Sequence, residues 1–416
     1  MSALESAAVA PVRLPLGRLL VVMGGVYTIQ STVGAVMFQG VPATLRDSGL
    51  PLDMIGLVSL FMLPWTVKFL WSPMVERWRL AVDGRRRSRQ IIVSGQLVMA
   101  LVLAALAWIT PEGGFLWLLV GLAAIAVVAS TVDIASDGYM IEHLEQRQRG
   151  WGNVVQVGGG YAGIMIGTGL FLVLVGWYGW STAMFTMAVA ALLLTVPCLL
   201  TREPPGDAER QARHRPSLAF ALRRPAIRWG LVAVVLCQTG LRLIQSMTGP
   251  FMIDNGIAPA QLGFLTGTLG TLLCLSCVVL VGLPIRRWGA RPTLFTLLGL
   301  QVAIYTLFCL AALAPLSAEL LSALFLAKAV IIAASFVALY TVAMDWTSPR
   351  QAGIDFTLFQ CADALVSVVA GLGSGLIAQH LGYGVCFALA SGGALLCLLL
   401  LPAVFRRIHR SMEYDG

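Results

Sequence analysis

The sequence predicts an all-α membrane protein with twelve transmembrane helices arranged in two pseudo-symmetric bundles of six. Three observations predict this class. The 416 residues are 58% hydrophobic and only 12% charged, a balance outside that of soluble domains. Apolar runs of about 20 residues, the length that spans a bilayer, recur along the chain. The two halves of the chain also share a loop pattern. A transmembrane β-barrel is excluded, because its strands would be about 10 residues long and alternating.

Twelve apolar runs define the predicted spans, which cover residues 14–38, 53–72, 90–110, 114–141, 153–176, 180–200, 226–253, 259–284, 293–314, 317–344, 354–380 and 383–405. The longest polar stretch separates the sixth run from the seventh, and we interpret it as a solvated linker. The predicted domains are therefore an N-terminal six-helix bundle over 1–200, a linker over 201–225, and a C-terminal six-helix bundle with a short tail over 226–416.

The positions of the basic residues predict the orientation in the membrane. Cytoplasmic loops of membrane proteins carry an excess of lysine and arginine. If both termini are cytoplasmic, Arg46 is the only arginine in an outer loop, and nearly all the others lie in cytoplasmic loops, the linker or the tail. The net charge of +8 therefore arises beside a membrane, which argues against nucleic acid as a partner.

The two halves of the chain repeat a basic loop. After the second apolar run the sequence reads SPMVERW over 72–78, and 210 residues later it reads GLPIRRW over 282–288. Two such halves of six helices are typical of secondary transporters that are built from a repeat. The repeat therefore favours a transporter.

Six charged residues interrupt the predicted spans, and their positions indicate a cavity. A charge at the centre of a span costs about 2.5–3.5 kcal/mol even on the mild insertion scale, so these residues face partners or water rather than lipid. They are Lys68, Asp133, Asp137, Arg242, Lys328 and Asp363. Asp133 and Asp137 are four residues apart, which places both carboxylates on one face of helix 4.

The charges form two groups by depth. The first group consists of Lys68 on helix 2 and of Asp133 and Asp137 on helix 4, toward the cytoplasmic ends of these helices. These residues form either a salt bridge that holds a gate or a titratable relay that couples protons to transport. In the second group, Arg242 and Lys328 lie near the midplane with no acid predicted at their depth. Two unpaired cations facing a cavity favour an anionic substrate. The alternatives to an anion-binding role for these two cations are an ion pair with Asp363 and capping of backbone carbonyls.

Polar residues on the cavity helices supply the predicted substrate site. The candidate substrate-binding residues are Tyr27, Gln30, Gln238, Arg242, Gln245, Lys328, Gln360 and Asp363. For the uncharged ones the alternative is hydrogen bonding between helices, which contributes about 0.6 kcal/mol per bond on average. The four histidines lie at span ends or in loops, so no metal site and no cofactor is predicted.

The basic loops resemble the signature cytoplasmic loop of the major facilitator superfamily, with Ser72 where glycine is usual and Glu76 where aspartate is usual. In that superfamily every third helix faces lipid, which agrees with the absence of charge from the interiors of helices 3, 6, 9 and 12 in this sequence. The resemblance implies a monomer that works by alternating access. The candidate gate and proton-coupling residues are Lys68, Glu76, Arg77, Asp133, Asp137, Asp345 and Asp355.

Three segments resemble the branch that holds muropeptide permeases and ferric-siderophore permeases. They begin at Pro64, Asp133 and Met344 and read PWTVKFLWSP, DIASDGY and MDWTSPRQAGIDFTL. The third most resembles short siderophore importers of the pyochelin and rhizobactin type. The sequence departs from the pattern of this branch at Gly138, where alanine is more usual, and at Val132, where glutamine is frequent. The resemblance implies a bacterial inner-membrane importer, driven by the proton gradient, that moves a ferric siderophore or a similar amphipathic anion, with iron as cargo.

Other functions remain as alternatives. A muropeptide importer would use the same architecture and the same residues. Drug efflux is less favoured, because helix 5 lacks the Gly-Pro element that marks drug antiporters of the superfamily. A membrane enzyme such as an acyltransferase would need a His/Asp or Ser/His set at the membrane face, and the sequence shows none.

Overall fold

The computed structural model describes residues 14–47, 57–81, 84–109, 114–204, 215–314 and 316–414. The first half of the chain forms six helices. Their bounds are Leu16–Ala35 with a π turn Val36–Gly40 and Val41–Asp47 (α1); Leu57–Met62, Leu63–Val67, Lys68–Leu70 and Ser72–Arg79 (α2); Ser88–Leu106 (α3); Phe115–His143 (α4); Arg149–Ile164 with a π turn Met165–Leu170 and on to 178 (α5); and 180–199 (α6).

The second half repeats this plan. A short helix, Leu218–Arg223, precedes it. The six long helices are Pro225–Asp254 (α7); Pro259–Gly263, Phe264–Leu269 and Gly270–Trp288 (α8); Ala290–Ala311 (α9); Ala318–Trp346 (α10); and 352–381 (α11) and 383–414 (α12), which lie within Ala352–Tyr414.

Two glycines make the turns between consecutive helices at equivalent places in the halves. Gly179 has φ 81° between α5 and α6, and Gly382 has φ 84° between α11 and α12. Residues with a Cβ rarely adopt this left-handed region, whereas glycine adopts it readily. The chain can therefore reverse direction there without a longer loop.

The predicted number of twelve spans is confirmed. Within the described residues, nine helical segments are long and apolar enough to cross a bilayer. Two of them, Gln146–Leu199 and Ala352–Arg410, contain the glycine breaks and count twice, and α2 contributes the shorter apolar helix Leu60–Leu70. The start of the second predicted span (53–56) and residues 205–214 of the predicted linker lie outside the described residues. The predicted domain limits stay a prediction.

Several helices extend beyond the spans that hydropathy predicts. α1 was expected to end at residue 38 but continues to Asp47, and α12 continues from the expected 405 to Tyr414. Hydropathy measures the apolar thickness of the bilayer, whereas a helix continues into polar surroundings as long as its backbone hydrogen bonds are favourable.

Both halves begin and end on one side of the molecule, which we call the terminal side. It carries the starts of α1 and α7 and the end of α12. Near the end of α12, Arg407 lies with its guanidinium carbon 4.3 Å from the ring centroid of Trp229, near the start of α7. On the other side, which we call the opposite side, Trp180 Nε1 donates to Leu106 O at 2.9 Å and joins α6 to α3.

The helices predicted to face lipid have apolar outer surfaces. Leu101 of α3, Leu193 of α6, Leu310 of α9 and Leu399 of α12 are 55–70% exposed. Exposed leucines on long apolar helices are stable only where the surroundings are apolar. This arrangement places α3, α6, α9 and α12 at the periphery and leaves the charged helices inside.

Candidate functional site

Asp137 is the most isolated carboxyl group of the site. It lies on α4 and is fully buried. Its Oδ1 accepts hydrogen bonds from Tyr27 Oη of α1 at 2.8 Å and from Gln156 Nε2 of α5 at 3.0 Å. Its Oδ2 has no hydrogen-bond partner, and no cation lies within ion-pair distance, among the residues that the structure describes. Neutral donors therefore hold this carboxyl group.

Lys68 and Asp133 form an ion pair, as the predicted cluster required. Lys68 lies on the 3₁₀ turn of α2 and is almost completely buried, and its Nζ contacts Asp133 of α4. The same Nζ donates to Gln360 Oε1 of α11, which belongs to the other half. In the amide orientation of Gln30 that satisfies both of its polar atoms, Nε2 donates to Asp133 Oδ1 at 3.0 Å and Oε1 accepts from the backbone N–H of Asp133 at 3.3 Å. Lys68 therefore joins the two halves while it neutralises Asp133.

The prediction that Arg242 is unpaired is wrong. Arg242 of α7 and Asp363 of α11 form an ion pair with Nη2 to Oδ2 at 2.7 Å. Tyr340 Oη of α10 donates to Asp363 Oδ2 at 2.9 Å, and Gln245 Oε1 accepts from Arg242 Nη1 at 3.1 Å. Hydropathy placed Asp363 at a different depth, because a span boundary that is uncertain by a few residues shifts depth by 1.5 Å per residue.

Lys328 lies in an aromatic surrounding rather than in an open cavity. Its side chain is buried, and it forms no ion pair within the described ranges. The Nζ lies 4.6 Å from the ring centroid of Phe325 and 5.8 Å from that of Phe308. Cation–π attraction partly replaces the missing counter-charge. A role of Lys328 in substrate binding stays a prediction.

Gln238 is enclosed by neighbouring helices in this conformation, so its contact with a substrate stays a prediction. Gln238 is fully buried between α7, α9 and α10, in a cavity of about 10 Å³ that Gln301 and Ser335 also line. Neither amide atom of Gln238 has a hydrogen-bond partner among the described residues. Gln238 and Arg242 share one broad helix face, but only Arg242 lies at its solvent-accessible edge. Residue spacing predicts the shared face and does not predict which of the two side chains is accessible.

Glu76 belongs to a buried network at the terminal side. Arg79 Nη2 lies 2.7 Å from Glu76 Oε1 and 2.7 Å from Glu142 Oε1. The backbone N–H of Gly353, at the start of α11, donates to Glu76 Oε1 at 3.3 Å and joins the halves. Burial raises the pKa of Glu76, and the charge of Arg79 acts in the opposite direction. Arg77 stands apart from this network, with Nε donating to Pro216 O at 2.9 Å.

The other two predicted gate acids have different partners. Asp345, at the end of α10, pairs with Arg149 at the start of α5 through a 2.6 Å contact that joins the halves. Asp355 pairs with Arg224 at 2.6 Å and accepts from the backbone of Ser348 at 2.7 Å, all within the second half or just before it. Asp345 is therefore placed at an interface that opens when the halves separate, and Asp355 is not.

Sequence reasoning missed five participants in these networks, namely Arg79, Glu142, Arg149, Arg224 and Tyr340. Arg79 follows Glu76 by three residues, which is a spacing that brings side chains together on a helix. That spacing could have identified Arg79. Glu142, near the end of α4, and Arg149, at the start of α5, flank a turn rich in charge. Nothing in that sequence marks one of these charges as buried.

The polar bonds between the halves lie in the terminal-side portion of the molecule. They include Glu76 with Gly353, Arg149 with Asp345 and with Met344 O, and, deeper, Lys68 with Gln360 and Cys361 with Trp65 O. On the opposite side, Tyr383 Oη donates to Asp254 Oδ2 at 2.6 Å, and this bond joins two helices of the same half. The structure is therefore closed at the terminal side.

Comparison with known proteins gives a family and a shared fold. The sequence model of the Major Facilitator Superfamily matches residues 19–335 and 243–414. The crystal structure of the human organic anion transporter MFSD10 (TETRAN) superimposes with a TM-score of 0.69 at 16% identity and covers 94% of this chain and 100% of that one. At that identity the likeness shows the fold alone.

The curated relatives are transporters or lack a described activity. The anhydromuropeptide permease of Escherichia coli (strain K12) is 28% identical over 254 residues, which is 59% of this chain and 51% of that protein. The chain thus matches about half the length of that permease. An uncharacterized protein of Haemophilus influenzae is 28% identical over 385 residues, 87% of this chain and 89% of that one. A putative transporter AmpG 4 of Rickettsia conorii is 24% identical over 61% of this chain and 64% of its own length.

Proposed function

The chain belongs to the Major Facilitator Superfamily, and from this premise we propose that it is a proton-driven importer of an amphipathic anion of the muropeptide class. The superfamily and the relatives make it a multi-pass membrane transporter of a small molecule. We further propose that it lies in the bacterial inner membrane with its terminal side in the cytoplasm, where the arginine-rich loops would lie.

The relatives support muropeptides as the first candidate. Two of the matched relatives are named as an anhydromuropeptide permease and as a putative AmpG-type transporter. Ferric-siderophore import, which the three sequence segments implied, finds no support in these relatives. We therefore place the siderophore second, although both molecules are large, amphipathic and commonly anionic.

Asp137 carries the proposal of proton coupling. A buried carboxylate without a counter-charge is costly, so the neutral carboxylic acid is the less expensive form in such a place. Tyr27 and Gln156 hold one oxygen of Asp137, and the other oxygen is free to carry a proton. In a conformation that opens this face to water, the proton can leave. Coupling of protons to transport requires that the proton occupancy of such a group differs between conformations.

Lys68 supplies the link between proton and gate in this proposal. Its ammonium group pairs with Asp133 and also bonds to Gln360 across the halves. In this proposal the proton passes from Asp137 to Asp133, one turn away on α4, where it removes the charge that holds Lys68 in place and weakens the bond to Gln360. The terminal side could then open toward the cytoplasm and release the substrate. The polar bonds between the halves would break in that step.

Uptake into proteoliposomes tests the proposal. The purified full chain is reconstituted, an acid-outside pH gradient is imposed, and accumulation of radiolabelled anhydromuropeptide is followed with and without a protonophore. We expect gradient-dependent accumulation that Asp137→Asn abolishes. Iron-loaded pyochelin in parallel vesicles separates the two substrates: accumulation of pyochelin alone would replace the muropeptide, and accumulation of neither would reject both. Gradient-driven loss of preloaded muropeptide would reverse the direction of transport.

A further inference from the structure

The guanidinium group of Arg242 is a carboxylate-binding site that the protein fills with its own carboxylate. Arg242 donates from Nε to Asp363 Oδ1 at 3.0 Å, and from Nη2 to Oδ1 at 2.8 Å and to Oδ2 at 2.7 Å. Arginine binds carboxylates in this forked geometry because its planar donors match the two oxygens. The guanidinium carbon also lies 5.1 Å from the ring centroid of Phe336. The site is therefore shaped before any substrate arrives.

This ion pair does not hold the two halves together. Arg242, Asp363 and Tyr340 lie on α7, α11 and α10, which all belong to the second half. The pair can therefore persist whichever side of the molecule is closed. Buried ion pairs add little stability compared with apolar residues of similar size, and charged residues inside a membrane generally serve transport. A role in substrate binding therefore accounts for this ion pair better than a role in holding the two halves closed.

The pair lies next to the coupling residues. Gln360, which bonds Lys68, precedes Asp363 by three residues on α11, which is about one helical turn of 5.4 Å. The side chains of Arg242 and Asp363 remain 18% and 8% exposed, so small movements make the pair accessible from the space between the halves. A ligand held by Arg242 would therefore lie within about one turn of the contact that joins the halves.

We propose that the transported molecule carries a carboxylate that displaces Asp363 from Arg242, and that Asp363 takes up a proton from water as it leaves. The incoming anion replaces one negative charge on Arg242, and the proton neutralises the displaced one. The charge of the site is unchanged, and one proton accompanies each carboxylate. Tyr340 donates to Asp363 while Asp363 is paired with Arg242, so this hydrogen bond favours the paired state and opposes displacement. This inference rests on the proposed function and assigns Asp363 as an internal competitor that selects for carboxylates.

Binding measurements on the purified full chain test the displacement. The ligands are anhydromuropeptide with its peptide carboxylates free and the same molecule with these groups converted to amides. Titration calorimetry in two buffers of different ionisation enthalpy gives both affinity and proton uptake. The wild type is expected to prefer the free acid and to take up about one proton when it binds. The amide is expected to bind without this uptake.

Three variants separate competition from a structural role. Asp363→Asn keeps the size and the acceptor for Tyr340 but removes the competing charge, so the acid should bind at least about tenfold more tightly, with proton uptake lower by about one. Tyr340→Phe should tighten acid binding in the same direction and retain the uptake. Arg242→Gln should abolish the preference for acid over amide. Each variant is first checked for a monodisperse elution profile.

The outcomes distinguish this inference from the proposed function. If acid and amide bind the wild type equally, or if Asp363→Asn leaves affinity and proton uptake unchanged, displacement is overturned while muropeptide binding stands. If the wild type binds neither form, the muropeptide assignment fails, and the carboxylate assignment fails with it.

Discussion

Gly138 lies directly against Arg79. A Cβ built on Gly138 would lie 2.9 Å from Arg79 Cζ and 2.9 Å from its Nη2. Arg79 is fully buried between Glu76 and Glu142, so it has no open space into which to withdraw. The glycine at this position, where resembling sequences more usually have alanine, therefore gives the guanidinium group the room that its two carboxylate partners require.

Gly138→Ala is expected to lower stability and to loosen the terminal side. The added methyl group must displace a guanidinium group held by two carboxylates, and such overpacking typically costs about 1–3 kcal/mol. The unfolding temperature of the detergent-solubilised chain measures the effect. Gly299→Ala is the matched control, because Gly299 lies in a regular helix with no atom within 4 Å of its built Cβ. An equal or smaller loss for Gly138→Ala would show that Arg79 is not confined.

Asp345→Asn and Asp355→Asn are expected to differ, although each removes one charge from an arginine–aspartate pair. Asp345 pairs across the halves with Arg149, so its loss should increase opening of the terminal side. Asp355 pairs with Arg224 beside its own half, so its loss should lower the unfolding temperature without changing the opening. Distance distributions between spin labels on the terminal-side ends of α5 and α10 measure the opening. Identical distributions for both variants would remove the distinction between the two acids.

The sequence predicted the fold and the central carboxylates because both depend on features that are local along the chain. Span length gives twelve helices, and a spacing of four places Asp133 and Asp137 on one face. Pairing across helices depends on rotation and tilt, which no local pattern contains. Arg242 was therefore expected to be unpaired although Asp363 lies beside it, and Arg149 went unnoticed although it binds Asp345.

Lys68→Gln is expected to destabilise the protein more than the double variant Lys68→Gln/Asp133→Asn. The single change leaves Asp133 as a buried carboxylate without its cation, and removing one partner of a buried pair costs about 3–5 kcal/mol. The double change removes both charges and keeps the hydrogen-bonding shapes. Unfolding temperatures of the wild type, both single variants and the double variant give the coupling energy. Additive effects of the two changes would show that the contact between Lys68 and Asp133 does not stabilise this conformation.

Asp137→Asn is expected to abolish gradient-driven accumulation and to leave folding and substrate exchange intact. Asparagine resembles a permanently neutral aspartate and can still accept from Tyr27 and Gln156, which bind Asp137 Oδ1. The variant should cycle with substrate but without the proton of Asp137, so counterflow should persist. Gln156→Leu is the matched control, since it removes one hydrogen bond but retains the titratable group, and it should reduce accumulation without abolishing it. Accumulation by Asp137→Asn at the wild-type level would exclude Asp137 as the proton carrier and would leave Asp133 and Asp363 as the candidates.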